Sequence, residues 1–159
     1  MLAVHDLAVL RAIVGAPQEI THVELLGPSR LIIGFRYSDG ARATLELGVW
    51  PEQTWSDTNV AVVGDAADAS LDFPNPWIRY LPTTLTQRRA GDEGTTVIAP
   101  PSSYRYAFRE EWLEFHAAIV GDRDPLTGLD DGLADVELSA AVVNAIPTEQ
   151  LDAAEREVR

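Results

Sequence analysis

The side chains that could do chemistry in this chain are few. His5 and Asp6 stand side by side near the start, and His22 and His116 are the other two histidines. A histidine has an ordinary pKa near working pH, so His5 could bind a hydroxyl or act as a general base. Asp6 beside it is the second catalytic candidate, though in a first turn it also favours the positive end of a helix dipole with no catalytic role needed. His22 alternates with Val23 in a strand pattern and is expected at the surface. His116 lies beside an apolar helical stripe, where a lone histidine is usually a packed residue. The three histidines are far apart and lack zinc-ligand spacing. The acidic set Asp122, Asp124, Asp130, Asp131 and Asp135 lacks the pattern of a calcium loop, so loop and cap duty is expected of it.

Other chemistries are closed by composition. With no cysteine there is no disulfide, thiolate ligand or thiol nucleophile. The 12 basic residues are all arginine, so there is no lysine to form a Schiff base. The formal net charge of −13 opposes binding to nucleic acid or to an anionic membrane. No apolar run is long enough to span a bilayer, and the start has no basic region ahead of its apolar stretch, so a cytoplasmic location is expected. Arg36, Arg42, Arg79, Arg88, Arg89 and Arg105 could grip an anion, but in so acidic a chain they are expected to neutralise neighbouring carboxylates.

The elements that must position these residues follow from periodicity. A length of 159 residues suits one domain. Leu2, Leu7, Leu10, Ile13 and Val14 have helical spacing, and Gly15 and Pro17 stop that helix. Strand patterns run from Ile20 to Leu26, Leu31 to Tyr37 and Ala43 to Val49, the last two joined across Ser38-Asp39-Gly40, a hairpin signal. Asn59 to Val63 and Ser70 to Phe73 flank Gly64-Asp65-Ala66. Ile78 to Leu81, Thr83 to Arg88 and Thr95 to Ala99 suggest further strands. After Pro100-Pro101 the period becomes helical. Phe108, Trp112, Phe115, Ile119 and Val120 form one stripe. A last helix is expected from about Asp131 to Ile146, closed by Pro147, with Asp130 or Asp131 as its cap. Residues 1–147 would form the domain and 148–159 a polar tail.

This order predicts an α+β fold, a mostly antiparallel open sheet with helices packed on one face. The other face would be free for dimerisation, with aromatic residues such as Trp50, Trp55 and Tyr80 on it and Trp77 as a further candidate.

The opening His5-Asp6-Leu7, Leu10-Arg11, Gly15 and Pro17 resembles the helix that starts the C-terminal domain of the Gfo/Idh/MocA (glucose–fructose oxidoreductase and inositol dehydrogenase) family. Phe108-Arg109-Glu110-Glu111-Trp112, Phe115, Gly121, Pro125, Asp131-Gly132 and Asp135 are similar to its closing helices. The resemblance covers roughly residues 2 to 146. It implies a domain that elsewhere pairs with a Rossmann domain to oxidise or reduce sugars and polyols with NAD(P). His5 matches the family's active-site histidine. The acidic position one helical turn earlier falls on Met1. The catalytic lysine of the family belongs to the nucleotide-binding domain, and no G-x-G-x-x-G follows a strand here. The expected site is therefore catalytic His5 and Asp6 with Arg11 and His116 as substrate contacts, without a metal. No cofactor is expected in this chain, with NAD(P) reached only through a partner. A homodimer through the sheet face and a separate Rossmann-domain subunit are the expected partners, and a sugar, polyol or related compound the ligand. Two other readings stand beside this one: a cofactor-independent isomerase, lyase or cyclase using His5, and a non-catalytic assembly domain.

Overall fold

The computed structural model describes residues 4–50, 52, 58–75, 78, 80–91, 94–98 and 107–158. Met1, Trp55, Trp77, Arg79, Arg105 and the Pro100-Pro101 boundary lie outside them. The chain divides into two compact units, Met1–Glu52 with Thr127–Arg159, and Gln53–Leu126.

The first unit opens with helix α1, Val4–Val14. It ends as its sequence demands. Gly15 takes φ +86 and its N–H bonds to the Arg11 carbonyl at 2.8 Å, a left-handed cap that glycine adopts without strain. Strands β1 (Glu19–Leu26), β2 (Arg30–Arg36) and β3 (Arg42–Gly48) follow as an antiparallel meander in that order. The β2–β3 turn is the expected one. Gly40 has φ +91, and Asp39 accepts from the Ala41 N–H at 3.0 Å.

Alternation sorts the sheet's two faces. Val23 pairs with Ile33 and Ile33 with Leu45, while Phe35 pairs with Ala43. This face buries Val23, Ile33, Phe35 and Tyr37 against Leu7 of α1 and Val142 of helix α3, Leu129–Asn144. The opposite face carries Glu24, Ile32 and Glu46 in one row and the Arg30–Glu46 and Arg36–Glu19 ion pairs. A bulge at Thr21 and His22 faces Gly34 of β2. A Cβ on Gly34 would sit 2.8 Å from Thr21 Oγ1. Gly34→Ala is therefore expected to cost about 1 kcal/mol or more by overpacking, read as a lowered urea midpoint with an unchanged slope.

Helix α4, Thr148–Val158, is the segment expected as a polar tail. It lies on β1, where Gln150 Oε1 accepts from the Leu25 N–H at 2.7 Å.

The second unit holds β4 (Thr58–Val63), β5 (Ala67–Phe73), β6 (Thr84–Gly91) and β7 (Gly94–Ile98), again an antiparallel meander. One face aligns Val60, Leu71 and Leu85. The other aligns Asn59, Asp72 and Thr84, and there Asn59 Nδ2 donates to Asp72 Oδ1 at 2.7 Å and Ser70 Oγ at 2.9 Å. Helix α2, Ala107–Val120, closes this unit.

The α+β class and antiparallel pairing are as expected, with the strands shared between two sheets of three and four. Three expectations need correction. The segment expected as a strand at Ile78 to Leu81 is not one at its described residues. Tyr80 there takes φ 63, and Pro82 has no N–H to give a ladder. The α2 stripe does not cover a sheet: Trp112, Phe115 and Ile119 are 69%, 54% and 65% exposed. Helical period fixes which residues share a side, but a neighbouring surface decides whether that side is buried. His116 on that helix is likewise exposed, not packed.

Candidate functional site

Helix α1 sets the geometry of the sequence-predicted site. Leu7 is fully buried, and Leu10 and Val14 pack on the same core, so this side of the helix faces the sheet. At about 100° per residue, His5 falls nearly opposite Leu7, and it is exposed. Asp6 lies between these sides and is half-buried. Burial pushes its carboxyl pKa up, against the opposing effects of its backbone hydrogen bond and of His5. His5 and Asp6 thus form an outward-facing imidazole beside a partly desolvated carboxyl. That pair can exchange a proton with a bound hydroxyl or hold one by hydrogen bonds.

Arg11 has a different environment. Its side chain is 21% exposed and turns to α3. Nε donates to Asp135 Oδ1 at 2.7 Å, and Nη2 donates to both the Asp131 carbonyl and Asp131 Oδ1 at 3.1 Å. The hydrogen bonds to Asp135 and then Asp131 raise its pKa above the ordinary value. Asp135 is only 4% exposed, and Asp131 Oδ2 also accepts from the Gly128 N–H at 3.0 Å at the helix start. The N-cap is thus Gly128 and not Asp130 or Asp131 as expected, because the helix starts two residues earlier, and Asp131 sits in its first turn and reaches back to the Gly128 N–H. These bonds fasten α1 to α3. The guanidinium's described partners are these two residues, so Arg11 holds the helix that carries His5.

The structure brings His5 and Asp6 together by adjacency. It places Arg11 toward α3, six residues along the helix from His5, about 9 Å at 1.5 Å per residue. His116 belongs to the other unit. Among the described residues no group of three or more His, Cys, Asp or Glu could hold a metal ion. No described helix is long and apolar enough to cross a membrane.

Sequence reading underrated Asp131 and Asp135. They sit four apart on one helix face, a visible signal, but their partner is more than a hundred residues away. The strand arginines behave as composition suggested: Arg88 Nε donates to Asp68 at 2.8 Å, and Arg36 binds Glu19.

Asp6 and Asp131 lead to opposite acid responses. The Gly128 N–H, then Arg11, lower the Asp131 pKa in the fold. Stability from it is present above the unfolded pKa, about 3.9, and is lost as pH falls through the lower folded value. The raised Asp6 works the other way: its carboxyl stabilises the fold below about pH 3.9, and that contribution is lost as pH rises through its folded pKa. Asp6→Asn is expected to raise the melting temperature at pH 7 and leave it unchanged near pH 3. Asp131→Asn should lower it at pH 7, with the difference vanishing in acid. Melting curves across that range check both signs.

The same fold recurs as part of several solved oxidoreductases. The 3-ketoreductase KijD10 of Actinomadura kijaniata, solved in complex with TDP-benzene and NADP, superposes with a TM-score of 0.70 at 16% identity, covering 91% of this chain and 46% of its own. The UDP-N-acetylglucosamine 3-dehydrogenase GnnA of Acidithiobacillus ferrooxidans gives 0.68 at 20% identity, covering 89% of this chain and 43% of its own. The chain thus spans less than half the length of these solved structures. No family model and no curated protein sequence matches it.

Proposed function

We propose that this chain is the substrate-facing and assembly half of a cytoplasmic Gfo/Idh/MocA-type sugar or polyol oxidoreductase, working with an NAD(P)-binding half that lies outside residues 1–159. The observation that carries this is the 91% match of this chain to 46% of a 3-ketoreductase solved with NADP. The residues agree with it. The chain has no lysine and no glycine-rich phosphate loop, yet it keeps His5 at the place the family resemblance gives to the active-site histidine. In this reading His5 meets the reacting hydroxyl, Asp6 sets its surroundings, and Arg11 acts by fixing α1.

The cofactor is tested directly. NADPH titrated into the purified chain in a calorimeter is expected to give no binding. A native pull-down from the source cells is expected to capture a Rossmann-domain chain. Tight NADPH binding by the chain alone refutes the proposal, and so does a pull-down without a nucleotide-binding partner.

The assembly part of the proposal rests on the β1–β3 face turned away from the helices. Gly48 projects to that face, and the Trp50 ring occupies the space where a Cβ on Gly48 would be. Trp50 is half-exposed there, and Ile32 stands between Glu24 and Glu46. An aromatic and an aliphatic residue ringed by charges suit the centre and rim of a homodimer interface. Light scattering should report a dimer for the parent chain and half that mass for Ile32→Arg with Trp50→Ala.

The adjacent His5 and Asp6, an exposed imidazole beside a half-buried carboxyl, also suit proton transfer without a cofactor. Turnover of a sugar by the isolated chain, abolished in His5→Ala, would select that reading over the first.

A further inference from the structure

Strand β1 forms one edge of the three-stranded sheet. The outward N–H groups of such an edge can pair with another strand unless something closes them. Here the closure comes from α4. Gln150 Oε1 accepts from the Leu25 N–H at 2.7 Å, and one helical turn further Ala154 is buried. A third residue of the same side, Glu157, reaches Gly27 at the β1–β2 turn, where its Oε2 lies 3.1 Å from the place of a Cβ. Gln150, Ala154 and Glu157 recur at four and three residues, so a single side of α4 meets the strand. The main core is built without this helix: its buried members come from α1, β1, β2, the residue after β2, and α3. α4 can therefore lift without emptying the core.

The edge beneath it is self-complementary. In an antiparallel ladder outward N–H groups recur at every second residue, so the Val23 N–H points the same way as that of Leu25. Two copies of β1 related by a two-fold axis at Val23 would exchange the Val23 N–H and carbonyl groups. In that register His22 of each copy lies opposite Glu24 of the second copy. These are the two side chains that already meet within one chain, His22 Nε2 and Glu24 Oε2 at 3.4 Å. The next register sets Glu24 against Glu24, which like charges disfavour.

We propose that α4 is a strap over this edge, and that the edge takes up β1 of a second copy of this chain when the strap lifts. This association is distinct from a dimer through the sheet face, since it extends the sheet sideways.

The test uses full-length protein. Ala154→Glu places a charge in the α4–β1 contact, and Gln150→Ala removes the Leu25 cap alone. Each is combined with Val23→Cys, which in the stated register brings the two thiol-bearing residues to about 5.5 Å between Cα atoms, within disulfide reach. The chain has no other cysteine, so a disulfide dimer reports this pairing alone. Ala154→Glu is expected to at least double the mass of the parent form in light scattering: a monomer offers one such edge and a face dimer two. Its cross-linked fraction under mild oxidation should rise several-fold over Val23→Cys alone. Amide exchange at α4 shows that the strap has lifted. Lifted α4 with parent mass and parent cross-linking overturns the proposal. If Ala154→Glu unfolds the unit, Gln150→Ala decides: a faster-exchanging Leu25 amide with a raised cross-linked fraction supports the strap, and an unchanged fraction overturns it.

Discussion

Arg11→Met should lower the melting temperature by about 10 °C, the equivalent of the few kcal/mol that a stranded buried carboxylate costs in a chain of this size. The carboxylate is that of Asp135, which is 4% exposed and accepts from Arg11 Nε at 2.7 Å. Removing the guanidinium leaves this group inside the α1–α3 contact without its cation. Arg11→Met with Asp135→Leu removes both charges and keeps the volume, so it should recover most of the loss. The double-mutant cycle separates this account from simple loss of packing, which would leave the double variant as unstable as the single one. Arg11→Lys should recover only part, because one ammonium cannot reproduce the separate Nε and Nη2 bonds to Asp135 and Asp131. If Arg11 instead bound substrate and little else, all three variants would melt like the parent.

His5→Ala should leave the melting temperature unchanged and lower the activity of the assembled oxidoreductase by about 10²-fold or more, the usual loss on removing a general acid–base group. His5 is exposed on the side of α1 away from Leu7, so its removal opens no cavity. The reconstituted enzyme is the right material, because the hydride donor lies outside this chain in the proposed function. His5→Gln, which keeps a hydrogen-bonding end without a titrating ring, distinguishes roles. Recovery of KM with kcat still low marks proton transfer, and recovery of both marks binding alone. Activity equal to the parent in His5→Ala would remove His5 from the site. His116→Ala belongs in the same series: as an exposed residue it should raise KM if it touches substrate and change nothing if it does not.

Much of this was written in local sequence. Gly15 and Pro17 end α1, Asp39-Gly40 makes the β2–β3 turn, and Gly64 to Ala66 separates β4 from β5, all as turn chemistry requires. Alternation in β2 put Ile33 and Phe35 on the buried side and Ile32 and Gly34 on the other. Composition excluded thiol and lysine chemistry outright. These features are decided by a few neighbouring residues, so one sequence holds them.

What crosses the chain was not legible. Nothing near Arg11 indicates Asp131 and Asp135, because an ion pair is a meeting of surfaces set by how α1 and α3 pack on one sheet. The same holds for Gln150, whose amide reads as an ordinary polar helix residue until it is found on the Leu25 N–H. The α2 stripe shows the limit from the other side: Trp112, Phe115 and Ile119 have the right spacing, yet they stand exposed. Sequence by itself determined most of the elements, their turns and the chemistry left open to this protein, but not the chain at Ile78 to Leu81 or helix α4. Tertiary structure alone decided which side chains meet, since burial and charge pairing depend on distances between segments that no local pattern encodes.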